Sequence, residues 1–124
     1  MERQYSDDSI KFVDQGIEKA LIHEEIGEAA ITITLSGELS GEVANTLLDE
    51  MTALIVSGQG IVVNMESVVY VSASVMEVLL RMEKLLEQKN RYMRIVQMPQ
   101  AIYNEFKARG LHELLEIEVK KNEL

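Results

Sequence analysis

The groups in this 124-residue sequence with the means to do chemistry are two histidines, His23 and His112, several close-set glutamates, and the hydroxyls of Ser72 and Ser74. A nucleophilic or metal site needs such groups in set combinations: a base beside a nucleophile, or ligands at helical or loop spacing. His23 and His112 stand far apart, and neither belongs to a Cys, Ser-Asp or acidic pattern that would recommend a nucleophile or a metal. Both are expected to be surface imidazoles. Glu24-Glu25 and Glu113, Glu116 and Glu118 supply paired carboxylates, but charges at such spacings ordinarily cover a solvated face. Gly37, Gly41, Gly58 and Gly60 form no phosphate-cradling loop, because no lysine follows at the required spacing. The chain has no cysteine, which removes thiolate chemistry, zinc ribbons and disulfides. No constellation supports catalysis, and no cofactor or metal is expected.

The hydroxyls that remain lie in Ser72-Ala73-Ser74-Val75-Met76-Glu77, and the elements around this stretch decide what they do. Behind it, Val75, Val78, Leu79, Met82, Leu85 and Leu86 recur on one helical stripe while Arg81, Glu83, Lys84 and Glu87 face water. The cap of this helix is either Ser72 or Ser74. Ser74 with Glu77 fits S-x-x-E, the capping box in which hydroxyl and carboxylate each satisfy a free backbone N–H. A carboxylate in the first turn is also favoured by the helix dipole. Met51, Met76 and Met82 read as core packing, with Met76 also a candidate for contact with a partner.

Ahead of that helix, Gly60-Ile61-Val62-Val63-Asn64-Met65 is a short continuous apolar run, the pattern of a central strand covered on both faces by helices. Ala44, Leu47, Leu48, Met51, Leu54 and Ile55 define an earlier helix, with Ser40 as its N-cap and Gly58 as its stop. Ala20 to Ile26 and Ala29 to Leu35 read as a hairpin turning through Glu24-Glu25 and Gly27-Glu28. Tyr92 to Met98 is β-prone. Pro99 opens a third helix with Ile102 and Phe106 inward, and Gly110-Leu111 ends it. Leu114 to Val119 reads as one more helical turn or a last short strand. Residues 1–18 form an N-terminal extension of unknown role in which Ile10-Lys11-Phe12-Val13 could add a short strand or an apolar latch. Strands alternating with helices predict one α/β domain over residues 19–120, with a four- or five-stranded mixed, mostly parallel sheet and three to four helices, followed by a tail, 121–124.

A domain of this length buries roughly two-thirds of the surface its unfolded chain exposes. The hydrophobic fraction of 47% and the single proline fit a compact fold rather than a disordered one. The polar start, Met1 to Asp8, and apolar runs far shorter than the ~20 residues of a membrane helix predict a cytoplasmic location without membrane insertion. The final Lys121-Asn122-Glu123-Leu124 is similar to an endoplasmic-reticulum retrieval signal only by coincidence. A net charge of −9 disfavours nucleic acid and anionic lipid and favours a protein partner with a basic patch.

From Ala20 to Val119 the chain resembles the STAS domains, the family that includes bacterial anti-sigma-factor antagonists. The resemblance is carried by Ile33-Thr34-Leu35-Ser36-Gly37-Glu38-Leu39, by Ile61 to Asn64, by Val69-Tyr70-Val71-Ser72-Ala73-Ser74 and by Phe106-Lys107-Ala108-Arg109-Gly110-Leu111, in that order and spacing. Family members carry an Asp-Ser-Ser/Thr-Gly-Leu-Gly turn at the start of the second helix, whose first serine is phosphorylated by a partner kinase. Here Ser72 stands for the aspartate, Ala73 for the phosphoacceptor, and Val75 and Glu77 for the glycines. Ser40 and Asn64 replace two further family aspartates. The register that puts Ser72 or Ser74 at the acceptor position throws Val75, Val78, Leu79 and Met82 out of phase with the family's buried stripe.

The resemblance therefore implies a non-catalytic protein-binding module resembling an anti-sigma-factor antagonist, without the family's serine phosphorylation. Its partner-binding face is expected at Ser40, Ser72, Ala73, Ser74, Met76 and Glu77, and its partner would be an anti-sigma-factor kinase. The other reading is a structural or assembly subunit of a larger signalling or transport complex.

Overall fold

The computed structural model describes residues 1–121, so positions 122–124 of the expected tail lie outside the described residues. The chain runs β1 (Glu2–Tyr5), β2 (Ser9–Asp14), β3 (Ile17–Ile26), β4 (Ala30–Leu39), α1 (Gly41–Leu54), β5 (Gly60–Val71), α2 (Ala73–Gln88), β6 (Met93–Met98), α3 (Gln100–Ala108) and β7 (Ile117–Val119). Short 3-10 turns, Ile55–Ser57 and Leu111–Glu113, follow α1 and α3. The strands form one seven-stranded sheet in chain order.

That sheet corrects the expected four or five strands. The extra strands come largely from the N-terminal extension, in which the alternation of Ile10 and Phe12 is a real strand signal. Both side chains are buried, Phe12 fully so at 0% exposure. β2 pairs with β1 and β3, closing onto β3 through Gln15 and Gly16 at φ 50° and 78°. Two left-handed central residues are what a tight two-residue hairpin needs. At the other edge, the ambiguous segment Leu114 to Val119 gives β7 after the 3-10 turn. The sheet is also less parallel than expected: β1 to β4 pair antiparallel and β4 to β7 pair parallel. Tight turns force the first arrangement and helical crossovers the second.

β5 is not covered on both faces. Ile61, Val63 and Met65 are fully buried, whereas Val62 and Asn64 between them are only half-buried. The cause is topological. With strands in chain order, right-handed crossovers return over the same face each time, so the helices form a single layer. Val43, Leu47 and Met51 of α1, Val75, Leu79 and Met82 of α2, and Ile102 and Phe106 of α3 accordingly share one core with Ile31, Ile33 and Leu35 of β4. The stops read from sequence are real: Gly58 and Gly110 take left-handed φ of 80° and 72°.

β5 also runs past Met65, where the apolar run ends, as far as Val71. Its register against β4 moves from Thr34–Asn64 to Ser36–Ser67 and from Gly37–Val68 to Glu38–Tyr70, so β5 carries an extra residue at each step. These bulges space the buried Met65, Val68 and Val71 three apart rather than two. Beside them Gly37 has φ +83°, and a Cβ there would collide with the Lys19 carbonyl on β3.

Because Phe12 is a core side chain, Phe12→Ala should destabilise the domain by about 3–5 kcal/mol in urea unfolding. A loss below about 1 kcal/mol would instead make the N-terminal hairpin an ornament on an independent core.

Candidate functional site

β4 and β5 are parallel, so both end at the same edge of the helix layer, and each turns directly into a helix. The Ser72 N–H donates to the Leu39 carbonyl at 2.9 Å, locking the two turns together. α1 begins close to α2: a Cβ built at Gly41 would stand 3.5 Å from Ser74 Oγ, in ordinary van der Waals contact. The N-termini of α1 and α2 therefore lie side by side. Their free N–H groups favour carboxylates here, and Glu42 and Glu77 stand exposed near the starts of α1 and α2.

Ser72 is the N-cap of α2, with φ −75° and ψ 159°. Its Oγ accepts the Val75 N–H at 3.3 Å and pairs with Ser74 Oγ at 3.0 Å. This settles the choice of cap and corrects the expected Ser74–Glu77 capping box. Because β5 extends to Val71, α2 begins at Ala73 and Ser74 falls inside the helix; its hydroxyl bonds to Ser72 rather than to the Glu77 amide. The third helical position holds Val75, which has no carboxylate to complete a box.

Ser40 is the N-cap of α1 as expected, yet its side chain makes no capping bond. Its Oγ is buried without a partner. Ala73 presents its methyl to solvent in the first position of α2, and Glu77 is exposed one turn later. Met76 is the exception among the expected face residues: at 2% exposure it belongs to the core, as the stripe of α2 requires. Ser40, Ser72, Ala73, Ser74 and Glu77 come together at one edge; Met76 supports them from beneath.

The edge extends beyond these residues. A groove of about 190 Å³ between the helices leads from Ser74 and Glu77 to Asn45, Leu48 and Arg81. On the strand side, Val69 and Tyr70 are 69% and 52% exposed, an apolar pair on the bulged stretch just before Ser72. Periodicity assigns Leu48 to the core and Arg81 to water, and nothing in it joins the two. The exposure of Val69 and Tyr70 follows from the bulges, which have no signature in composition.

The residues weighed for catalysis do not converge. His23 pairs with Ser9 Oγ at 2.9 Å on the antiparallel side of the sheet, while His112 stacks edge-on against Tyr103, 6.3 Å between centroids, after α3. Among the described residues no cluster of three or more His, Cys, Asp or Glu side chains could hold a metal ion, and no helix is long and apolar enough to cross a membrane.

The STAS domain family model matches residues 20–123, and the chain belongs to that family. By sequence, no curated protein matches it. Among solved structures it is similar to an anti-sigma-factor antagonist from Mycobacterium paratuberculosis, with a TM-score of 0.73, 16% identity, and coverage of 81% of this chain and 86% of that one. The phosphorylated form of the Bacillus cell fate determinant SpoIIAA gives 0.64 and 18%, covering 77% and 89%. The murine solute carrier 26 family member A9 anion transporter gives 0.62 and 14%, covering 80% of this chain but only 17% of the transporter. At these identities the likeness is one of fold. β1 and β2 precede the matched stretch.

Loss of the Ser72 cap should cost about 1 kcal/mol, so Ser72→Ala should lower the thermal midpoint by a few degrees while Ala73→Gly, at an uncapped exposed position, changes it less. Circular dichroism melting compares them. Equal midpoints for Ser72→Ala and wild type would mean that Ser74, not Ser72, caps α2.

Proposed function

We propose that the protein is a non-catalytic docking module resembling an anti-sigma-factor antagonist, binding a protein partner through the paired N-termini of α1 and α2. The observation that carries this reading is the exposed methyl of Ala73 between two committed hydroxyls. A kinase acting on relatives at this position would meet no acceptor here. Ser72 is engaged by the Val75 amide and Ser74 by Ser72. Phosphoserine brings about −1.5 to −2 of charge and strong acceptor oxygens, enough to make or break an interface. Without it, docking would be governed by the amounts of the partners rather than by modification.

The partner favoured by charge is a protein with a basic patch, because Glu38, Glu42 and Glu77 are all exposed around the edge in a chain of net charge −9. An anti-sigma-factor kinase in the cytoplasm is the partner that the family resemblance suggests.

Capture from native lysate followed by incubation with the captured ATPase and ATP tests the proposal. Intact-mass analysis should find no phosphate on the wild-type chain, while Ala73→Ser gains one stoichiometric phosphate at residue 73. Stoichiometric phosphate on Ser72 or Ser74 of the wild type would sink the unswitched reading. Recovery of transporter or multi-subunit scaffold proteins in place of the ATPase would favour an assembly subunit.

A further inference from the structure

The N-terminal hairpin does more than widen the sheet, because it also grips α1 along one flank. From β1, Arg3 donates through Nε to Thr46 Oγ1 at 3.0 Å and through Nη2 to the Glu42 carbonyl at 3.3 Å. The same guanidinium lies 5.5 Å from the centroid of the buried Phe12 ring on β2. Glu42, Thr46 and Glu50 are spaced four apart and so form one stripe along the helix. Its upper end meets a cation. At its lower end the charged groups that the hairpin brings are both acids, Asp7 and Asp8.

There a cavity of about 230 Å³ separates α1 from the β1–β2 turn, and its walls include Tyr5, Asp7, Asp8, Glu24 and Glu50. The turn is built around Asp8: its carbonyl accepts the Glu24 N–H at 2.8 Å, and its carboxylate accepts the Ser9 hydroxyl at 3.2 Å. Glu24 comes from β3 on the side of the buried Ile22. Its Oε1 is itself buried with no partner, and Glu50 lines the same cavity. Among the described residues no lysine or arginine lines the cavity. The remaining titratable neighbour is His23, whose ring lies 3.8 Å from Asp8 Oδ2.

Two ionised carboxylates are acceptors only and cannot bond to each other; one proton between them supplies the missing donor. We infer that the hairpin is a proton-operated clasp on α1: Arg3 anchors its upper end, and a proton shared by Glu24 of β3 and Glu50 of α1 lets the acidic turn of the hairpin, with Asp7 and Asp8, close over its lower end. Losing that proton adds a negative charge to a half-enclosed space already walled by Asp7 and Asp8 and loosens the hairpin from the helix that carries Ser40 and Gly41. Burial, followed by the bond to Glu50 and the charge of Glu50, pushes the Glu24 carboxyl up from 4.5 to about 7, in keeping with this geometry. The folded chain then holds the proton more tightly than the unfolded chain does. Its stabilising contribution is complete below about pH 4.5 and is lost as pH rises through about 7.

Thermal unfolding of the full chain between about pH 5.5 and 8.5 tests the clasp, and the wild-type midpoint should fall by roughly 3 °C or more across that range. Glu24→Gln keeps a donor without the charge and should flatten most of this slope, whereas His23→Asn should leave it in place. A wild-type slope retained in Glu24→Gln, or abolished by His23→Asn, overturns the proposal. Hydrogen exchange, corrected for intrinsic rates, adds a readout that a purely local ionisation would not move. Amides of residues 2–14 should lose protection relative to β5 at high pH in the wild type and keep it in Glu24→Gln. Uniform loss across the sheet overturns the clasp. Should the variant not fold, carbon-13 titration of the wild-type glutamates decides: a Glu24 midpoint near 7 supports it, and one near 4.5 refutes it.

Discussion

Parallel pairing of β4 with β5 is the constraint from which the paired helix N-termini and the proposed docking edge follow. Ile31 and Ile33 lie level with Ile61 and Val63, and Leu35 stands at the first bulge, beyond which β5 carries Val68 and Val71. All these side chains are buried. Burying two such rows against one helix layer holds the strands in register, since slipping either by one residue would turn its apolar set toward solvent. Fixed register in turn makes both strands finish together, and both helices must then start together. The Ser72 to Leu39 hydrogen bond completes the arrangement at close range. The face at the helix N-termini is thus a consequence of core packing, and its side chains are free to vary while the scaffold stays.

That freedom explains how a STAS domain can keep its fold with Ala73, Val75 and Glu77 in the turn. Val75 is fully buried and serves the core, while Ala73 and Glu77 are exposed and serve none of it. Ser72 does the local structural job of a cap, because a serine hydroxyl caps a helix about as well as a carboxylate does. What changes is charge. The turn carries no carboxylate of its own before Glu77, and Ser40 and Asn64 are neutral as well.

The strongly periodic elements could be read from sequence alone. The stripe of Val75, Val78, Leu79 and Met82 gave α2, and Gly58 and Gly110 marked real left-handed stops, because those signals come from local backbone physics and the burial of one helix face. Long-range effects escaped. The bulges in β5 depend on what β4 places opposite them, and they moved the start of α2 to Ala73 and replaced the Ser74–Glu77 box by a Ser72 cap. A run such as Gly60 to Met65 looks the same whether one or both faces are covered, so its half-open state was hidden. The strand in residues 9–14 was visible only as a short alternation of Ile10 and Phe12. The family resemblance groups Ser40, Ser72, Ala73, Ser74 and Glu77, which do lie at one edge; Met76 keeps its core-packing role and loses its place on the face, and the exposure of Val69 and Tyr70 depends on bulges that composition does not show.

The most direct measurement is the affinity of a captured partner for two bulky variants at opposite ends of α1 and α2. Ala73→Trp would fill the space above the paired helix N-termini, while Val56→Trp alters a side chain 90% exposed beyond the far end of α1. By calorimetry, Ala73→Trp should weaken binding at least about tenfold, a change of roughly 1.4 kcal/mol, and Val56→Trp should leave it unchanged. Undiminished binding by Ala73→Trp, or a loss confined to Val56→Trp, would place the docking surface elsewhere on the fold.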